Sequence, residues 1–144
     1  MTRYLIVAHQ TADSPELVET AKAIHRREPD AEFALVVPAT HVSHLGSWTH
    51  GEARTVAAEA GERAAQRFAE AGIELSEVSV GDANPVYAVT DAFNRSRWDH
   101  VIVSTLPLKA SRWVRMDVMS RLERELSVPV THVVTEEQGA RTRR

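Results

Sequence analysis

Residues 4–37 read YLIVAHQTADSPELVETAKAIHRREPDAEFALVV, and this stretch decides the fold. It opens and closes on nearly continuous apolar, β-branched runs, Tyr4–Ala8 and Phe33–Val37. Strands buried on both faces read this way, whereas a strand with one wet face alternates. Between the runs, Ser14-Pro15-Glu16 places an N-cap serine before a proline at the first helical position, where the missing N–H costs nothing. Leu17, Ala21 and Ile24 then line one face up to about Glu28, and Pro29 stops the helix. Strand, helix, strand implies a right-handed crossover and a parallel sheet.

The same unit recurs along the chain. Val101–Val103 within HVIVS and Val130–Val134 (VTHVV) have the character of strands covered on both faces. Leu75–Val80 (LSEVSV) alternates, as an edge or half-covered strand does. Thr49-His50-Gly51-Glu52 fits a capping box and opens an alanine-rich helix through Val56, Ala60, Ala64 and Phe68 to Gly72. Asn84-Pro85 repeats the cap-plus-proline signature, with Val86, Val89 and Phe93 at helical spacing. A fourth helix is expected to start after Ser111 and run through Val118, Leu122 and Leu126, before Pro129 forces an exit.

The pattern βαβαβαβαβ predicts an α/β, Rossmann-like domain over residues 1–135. Its five parallel strands are expected in the order 3-2-1-4-5, doubly wound, with helices on both faces. Residues 136–144 (EEQGARTRR) are polar and aperiodic, a frayed tail.

Composition narrows the function. The 144 residues hold no cysteine, so disulfides, thiolate metal sites and a cysteine nucleophile are excluded. A balance of 17 basic against 20 acidic residues, net charge −3, argues against a nucleic-acid-coating surface or a polybasic membrane anchor. Apolar runs are far shorter than the roughly 20 residues of a membrane span, and Met1–Arg3 leads directly into a strand with no signal-peptide pattern. A soluble, cytoplasmic domain is expected.

Ligands bind such sheets outside the carboxyl ends of the strands where the strand order reverses, here between strands 1 and 4. That places His9, Gln10 and Thr11 after strand 1, Val37 and Thr40 at the end of strand 2, and Ser104–Arg112 after strand 4. Ser104 and Thr105 leave a buried strand, and Lys109, Ser111, Arg112 and Arg115 cluster around an expected helix start. Free N–H groups, a partial positive charge and nearby cations suit a phosphate or carboxylate. The plainer alternative is that Ser111 caps a helix whose arginines face solvent.

The connection Ala39–His50 (ATHVSHLGSWTH) adds histidines near His9, but no carboxylate or cysteine lies close enough to complete a metal set. A lid or ligand wall accounts better for its length, and no metal is expected. Trp48, Trp98 and Trp113 adjoin element ends and are expected to cover core edges. Gly-x-Ser-x-Gly, Walker A and Gly-x-Gly-x-x-Gly are all missing. Ser104 and His9 could meet as nucleophile and base, oriented by Asp13 or Asp117, on geometry alone. No catalytic residue is assigned.

From Arg3 to Val134 the chain resembles the universal stress proteins. Gly81-Asp82-Ala83-Asn84-Pro85, a short helix, then Trp98-Asp99-His100-Val101-Ile102-Val103 is similar to that family's "GdP…aI…A…aDlIVmG" stretch. Val128-Pro129-Val130-Thr131-His132-Val133-Val134 is similar to its closing "cPVlvV" strand, and the alanine-rich helix also corresponds. The resemblance implies a 3-2-1-4-5 sheet, a homodimer paired through Val130–Val134, and a stress-associated regulator. Some members bind ATP or AMP and others do not.

The nucleotide-binding branch carries G-x2-G-x9-G-[ST] after strand 4 and an aspartate after strand 1. Here His9 stands at the aspartate position, Thr105 and Leu108 replace the first two glycines, and Met116-Asp117 falls where Gly-Ser would hold phosphate. Only bare backbone lets phosphate approach the N–H groups closely. Two readings follow. In one, a rebuilt loop with Thr105, Lys109, Ser111 and Arg112 binds a nucleotide, an adenine nucleotide with or without magnesium among the options, or another small anionic ligand. In the other, the chain is a dimeric interaction module that binds no nucleotide. Weak nucleotide hydrolysis is left open, with fold analogy as its only support.

Overall fold

The computed structural model describes residues 1–40, 50–107, 112–115 and 117–135. Five strands, β1 (Arg3–Val7), β2 (Glu32–Pro38), β3 (Glu77–Gly81), β4 (His100–Thr105) and β5 (Val130–Val134), form one parallel sheet. Its order is β3-β2-β1-β4-β5, as the alternation of elements predicts. Among the described residues the helices are α1 (Pro15–Arg27), α2 (His50–Glu70), α3 (Pro85–Arg95), α4 (Arg112–Arg115) and α5 (Val118–Glu125).

Helix starts are locally encoded where they can be seen. Ser14 Oγ accepts from the Leu17 amide at 3.1 Å, and Asn84 Oδ1 accepts from the Val86 amide at 2.9 Å. Each side chain satisfies an amide that the first helical turn leaves unpaired. The Thr49 cap expected for α2 lies outside the described residues. At its other end α2 closes with Gly72 at φ 86°, and the Ile73 amide bonds back to the Phe68 carbonyl at 2.9 Å. Glycine takes this left-handed position without a Cβ penalty.

Two cores flank the sheet. Tyr4, Ile6 and Ala8 pack with Leu17 and Ala21 of α1 and with Ala57, Ala64 and Phe68 of α2. Leu5, Val7, Val101 and Val103 point the other way, toward Val86 and Val89 of α3 and Val118 and Leu122 of α5. This strict alternation within continuous apolar strands is what burial on both faces requires.

Two sequence expectations are corrected. The single helix from Ser111 to Leu126 is broken: α4 ends at Arg115, Asp117 sits at φ 58°, ψ 40°, and α5 starts at Val118. Aspartate is among the few non-glycine residues that enter this left-handed region readily, so the break needs no glycine. The second concerns Val130–Val134. It is an outer strand, with Val133 buried but His132 exposed and Val134 49% exposed. Its apolar run therefore does not mean burial on both faces. β3, the alternating segment, is the other edge. Residues 136–144 lie outside the described residues. No helix among those described is long and apolar enough to cross a membrane.

Candidate functional site

At the carboxyl ends of β1 and β4 the chain departs in opposite directions, into α1 on one face and toward α4 and α5 on the other. That divergence opens the crevice. The described site residues divide there into those that are satisfied and His9, which is not.

Thr11 and Ser104 are buried, and their hydroxyls meet at 2.5 Å across the reversal. Ser104 is thus bonded to Thr11 and makes no hydrogen bond to His9, so the nucleophile–base pair weighed from the sequence is not formed. Thr105 Oγ1 lies 2.7 Å from His132 Nε2 on β5, and its carbonyl accepts from the Thr135 amide at 2.8 Å. Thr135 Oγ1 in turn donates to Ser14 Oγ at 2.9 Å, which ties the end of β5 to the cap of α1. Thr40 Oγ1 donates to the Ala83 carbonyl at 2.6 Å and accepts from Trp113 Nε1 at 3.3 Å. Val37 is fully buried in the core beneath α2, and Gln10 is exposed.

His9 is the exception. It is 5% exposed, and among the described residues neither Nδ1 nor Nε2 has a hydrogen-bond partner. Burial pushes its pKa below the usual histidine value, a weaker interaction with its own backbone works against that, and the positive charge of Arg63 adds to the lowering. A neutral imidazole offers one N–H donor and one lone pair. Leaving such a buried group unmet costs about 1–3 kcal/mol. His132 is also held below its usual value by burial, but its ring is bonded to Thr105.

The cationic part of the sequence-predicted site is not reached by this geometry. Lys109 and Ser111 lie outside the described residues, as does the side chain of Arg112. The expected long helix behind them is absent, and a four-residue α4 carries little of the dipole that would favour an anion. The exposed Asp117 carboxylate stands at the entry to α5 without a capping bond. His41, His44 and the side chain of His50 are likewise outside the described residues. Those described contain no group of three His, Asp or Glu placed to hold a metal. A separate, shallow groove lies at the opposite rim, between Arg95, Trp98, Asp99 and Pro129.

The sequence reading named His9, Thr11, Thr40, Ser104 and Thr105, which lie at this end of the sheet, but not Trp113, His132 and Thr135 as their neighbours. Trp113 was the one with a signal, since a buried indole N–H usually finds an acceptor.

No protein-family model matches the chain, and no curated protein matches it. Among solved structures, the universal stress protein from Archaeoglobus fulgidus is similar over 92% of this chain and 99% of its own. The TM-score is 0.62 and the identity 16%. The shared property is the fold: this chain has the fold of a universal stress protein.

Proposed function

We propose that the chain is a divergent, stress-associated regulator of the universal stress protein type. In this reading it binds a nucleotide or another phosphate-bearing small ligand at the β1/β4 switch point. The observation that carries the reading is His9: a neutral, buried ring with both nitrogens unmet among the described residues, at the place where this topology binds ligands. A ligand atom that accepts from one nitrogen, or donates to the other, removes that cost. Thr105, Lys109, Ser111 and Arg112 supply the anion-binding groups in place of the missing glycines.

A thermal-shift series with ATP, ADP, AMP and inorganic phosphate, each with and without magnesium, tests it. A ligand at 100 times its Kd adds about 2.7 kcal/mol, a rise of several degrees for a chain of this size. The shift should shrink in His9→Phe. No shift with any of the four would overturn the reading.

A second reading, a dimeric interaction module, is favoured by β5. Its outer edge pairs with no strand among the described residues and Val134 is half exposed on it, an arrangement suited to a second copy. Light scattering should then show a dimer that Val134→Lys converts to a monomer. A wild-type monomer at tens of micromolar would sink this alternative.

A further inference from the structure

At the amino end of the sheet, away from the switch point, a groove of about 760 Å³ opens between the α3–β4 and α5–β5 connections. Phe93, Trp98, Val128 and Pro129 supply its apolar surface, and Arg95 and Arg97 stand on its α3–β4 side. A pocket for a small molecule usually buries most of its occupant. This groove is shallow and would leave such a molecule largely in water, so an extended peptide laid across it suits the shape better.

The α3–β4 side is held rigid from behind. The Arg3 amide donates to Asp99 Oδ2 at 2.8 Å, and Arg3 Nη1 donates to the Arg97 carbonyl at 2.6 Å. Trp98 Nε1 donates to the Ala92 carbonyl at 3.2 Å, and its ring lies 4.3 Å under the Arg3 guanidinium. On the other side the Val101 amide donates to the Pro129 carbonyl at 3.0 Å. A surface fixed before binding loses less entropy on binding.

The arginines here differ in what they are committed to. Arg3 covers Trp98, donates to the Arg97 carbonyl and pairs with Glu32 at 3.3 Å. Arg95 is exposed and makes no ion pair among the described residues. The Arg97 side chain is 89% exposed and has only a 3.6 Å contact with Asp99, of a kind worth little in water. Ser96 between them is extended, at φ −151° and ψ 164°. An extended residue sends its two neighbours to the same side, about 7 Å apart, and both arginines do line the groove. Carboxylates at alternate positions of an extended peptide have the same spacing.

We propose that this groove docks an extended acidic peptide segment of a partner protein, with carboxylates two residues apart seated on Arg95 and Arg97. An apolar side chain on the same face of that segment rests on Phe93 and Pro129. Asp99 bounds the basic patch, because its carboxylate accepts from the Arg3 amide and faces Arg97, so a third acidic group beyond Arg97 is repelled. The site depends on neither reading above: it lies at the opposite end of the sheet from His9 and needs no second copy of the chain.

Fluorescence anisotropy tests it with two fluorescein-labelled peptides of equal composition and charge. Gly-Glu-Ser-Glu-Ser-Leu-Gly has alternating carboxylates, and Gly-Glu-Glu-Ser-Ser-Leu-Gly has adjacent ones. Wild type should bind the alternating peptide about threefold or more tighter than the other, and Arg95→Gln or Arg97→Gln should each weaken it by about three- to tenfold. Both side chains are exposed, so these substitutions leave the packed cores untouched. Arg67→Gln, which removes an exposed charge from α2, should change the affinity less than about twofold. No saturable binding of the alternating peptide to wild type up to about 1 mM overturns the site. Equal affinity for the two peptides, or an equal loss in Arg67→Gln, also overturns it, since either would mean attraction to net charge alone.

Discussion

The hydroxyls of Thr11 and Ser104 lie 2.5 Å apart, joining the connection after β1 to the end of β4 across the point where the strand order reverses. Both side chains are buried, so each is the other's means of replacing water. The bond holds the floor of the crevice closed between the two strands whose connections diverge.

Removing one partner should therefore cost more than removing both. Thr11→Val or Ser104→Ala strands a buried hydroxyl and should each destabilise by about 1–3 kcal/mol. The double variant should cost clearly less than the sum. Urea unfolding followed by circular dichroism gives the cycle, and strict additivity would show that the two hydroxyls do not interact.

The two visible helix caps should differ. Asn84 serves the start of α3 alone, whereas Ser14 caps α1 and also accepts from the buried Thr135 hydroxyl. Asn84→Ala should cost about 1 kcal/mol. Ser14→Ala should cost more, because it also leaves Thr135 unmet. Equal losses in melting temperature would contradict the double role.

Two glycines make an opposite pair. A Cβ on Gly81 would meet Ala88 Cβ at 2.8 Å and Val36 Cγ2 at 2.9 Å, both in the packed layer beneath α3. Gly81→Ala should lose about 1–3 kcal/mol. On Gly61 it would meet Val78 Cγ1 at 2.8 Å, but Val78 is on the edge strand and partly exposed. There the helix gains about 1 kcal/mol from alanine, so Gly61→Ala should stay within about 1 kcal/mol of wild type. Melting curves of the two variants decide it.

Stability should fall on mild acidification. Burial lowers the pKa values of His9, His100 and His132, so the unfolded chain takes up protons before the folded one does. Stability is then level above about pH 6.5 and drops as pH falls below it, toward the depressed folded values. His9→Gln should reduce the difference in Tm between pH 7.5 and 5.5. An unchanged difference would mean that His9 does not contribute.

The alkaline limit should trace to Tyr4. Burial, followed by its hydrogen bond to Glu28 at 2.5 Å, pushes its pKa up to about 12. A raised value means that its stabilising contribution is complete below about pH 10 and lost as pH rises from there toward 12. Ultraviolet titration should show a late phenolate transition that Tyr4→Phe abolishes.

How much of this was legible beforehand depended on range along the chain. Ser14 and Asn84 act within three residues of themselves, so Ser-Pro and Asn-Pro announced α1 and α3 correctly. Asp117 breaks a helix without a glycine or proline, and nothing local marks it. The run Val130–Val134 is equally apolar at the edge of a sheet and at its centre. Whether it is covered is decided by strand order and by how far α5 extends over it.

Local pattern was enough to set the succession of strands and helices. Periodicity, caps and the right-handed crossover then led to the 3-2-1-4-5 sheet and to the end of it where a ligand would sit. Which polar groups there are answered depends on the folded arrangement. Ser104 meets Thr11, Thr105 meets His132, Trp113 meets Thr40, and His9 meets no polar partner among the described residues. The physical reason is that a hydrogen bond demands alignment within a few tenths of an ångström. Between residues as far apart in the chain as Thr11 and Ser104, only the assembled packing of two cores supplies that alignment.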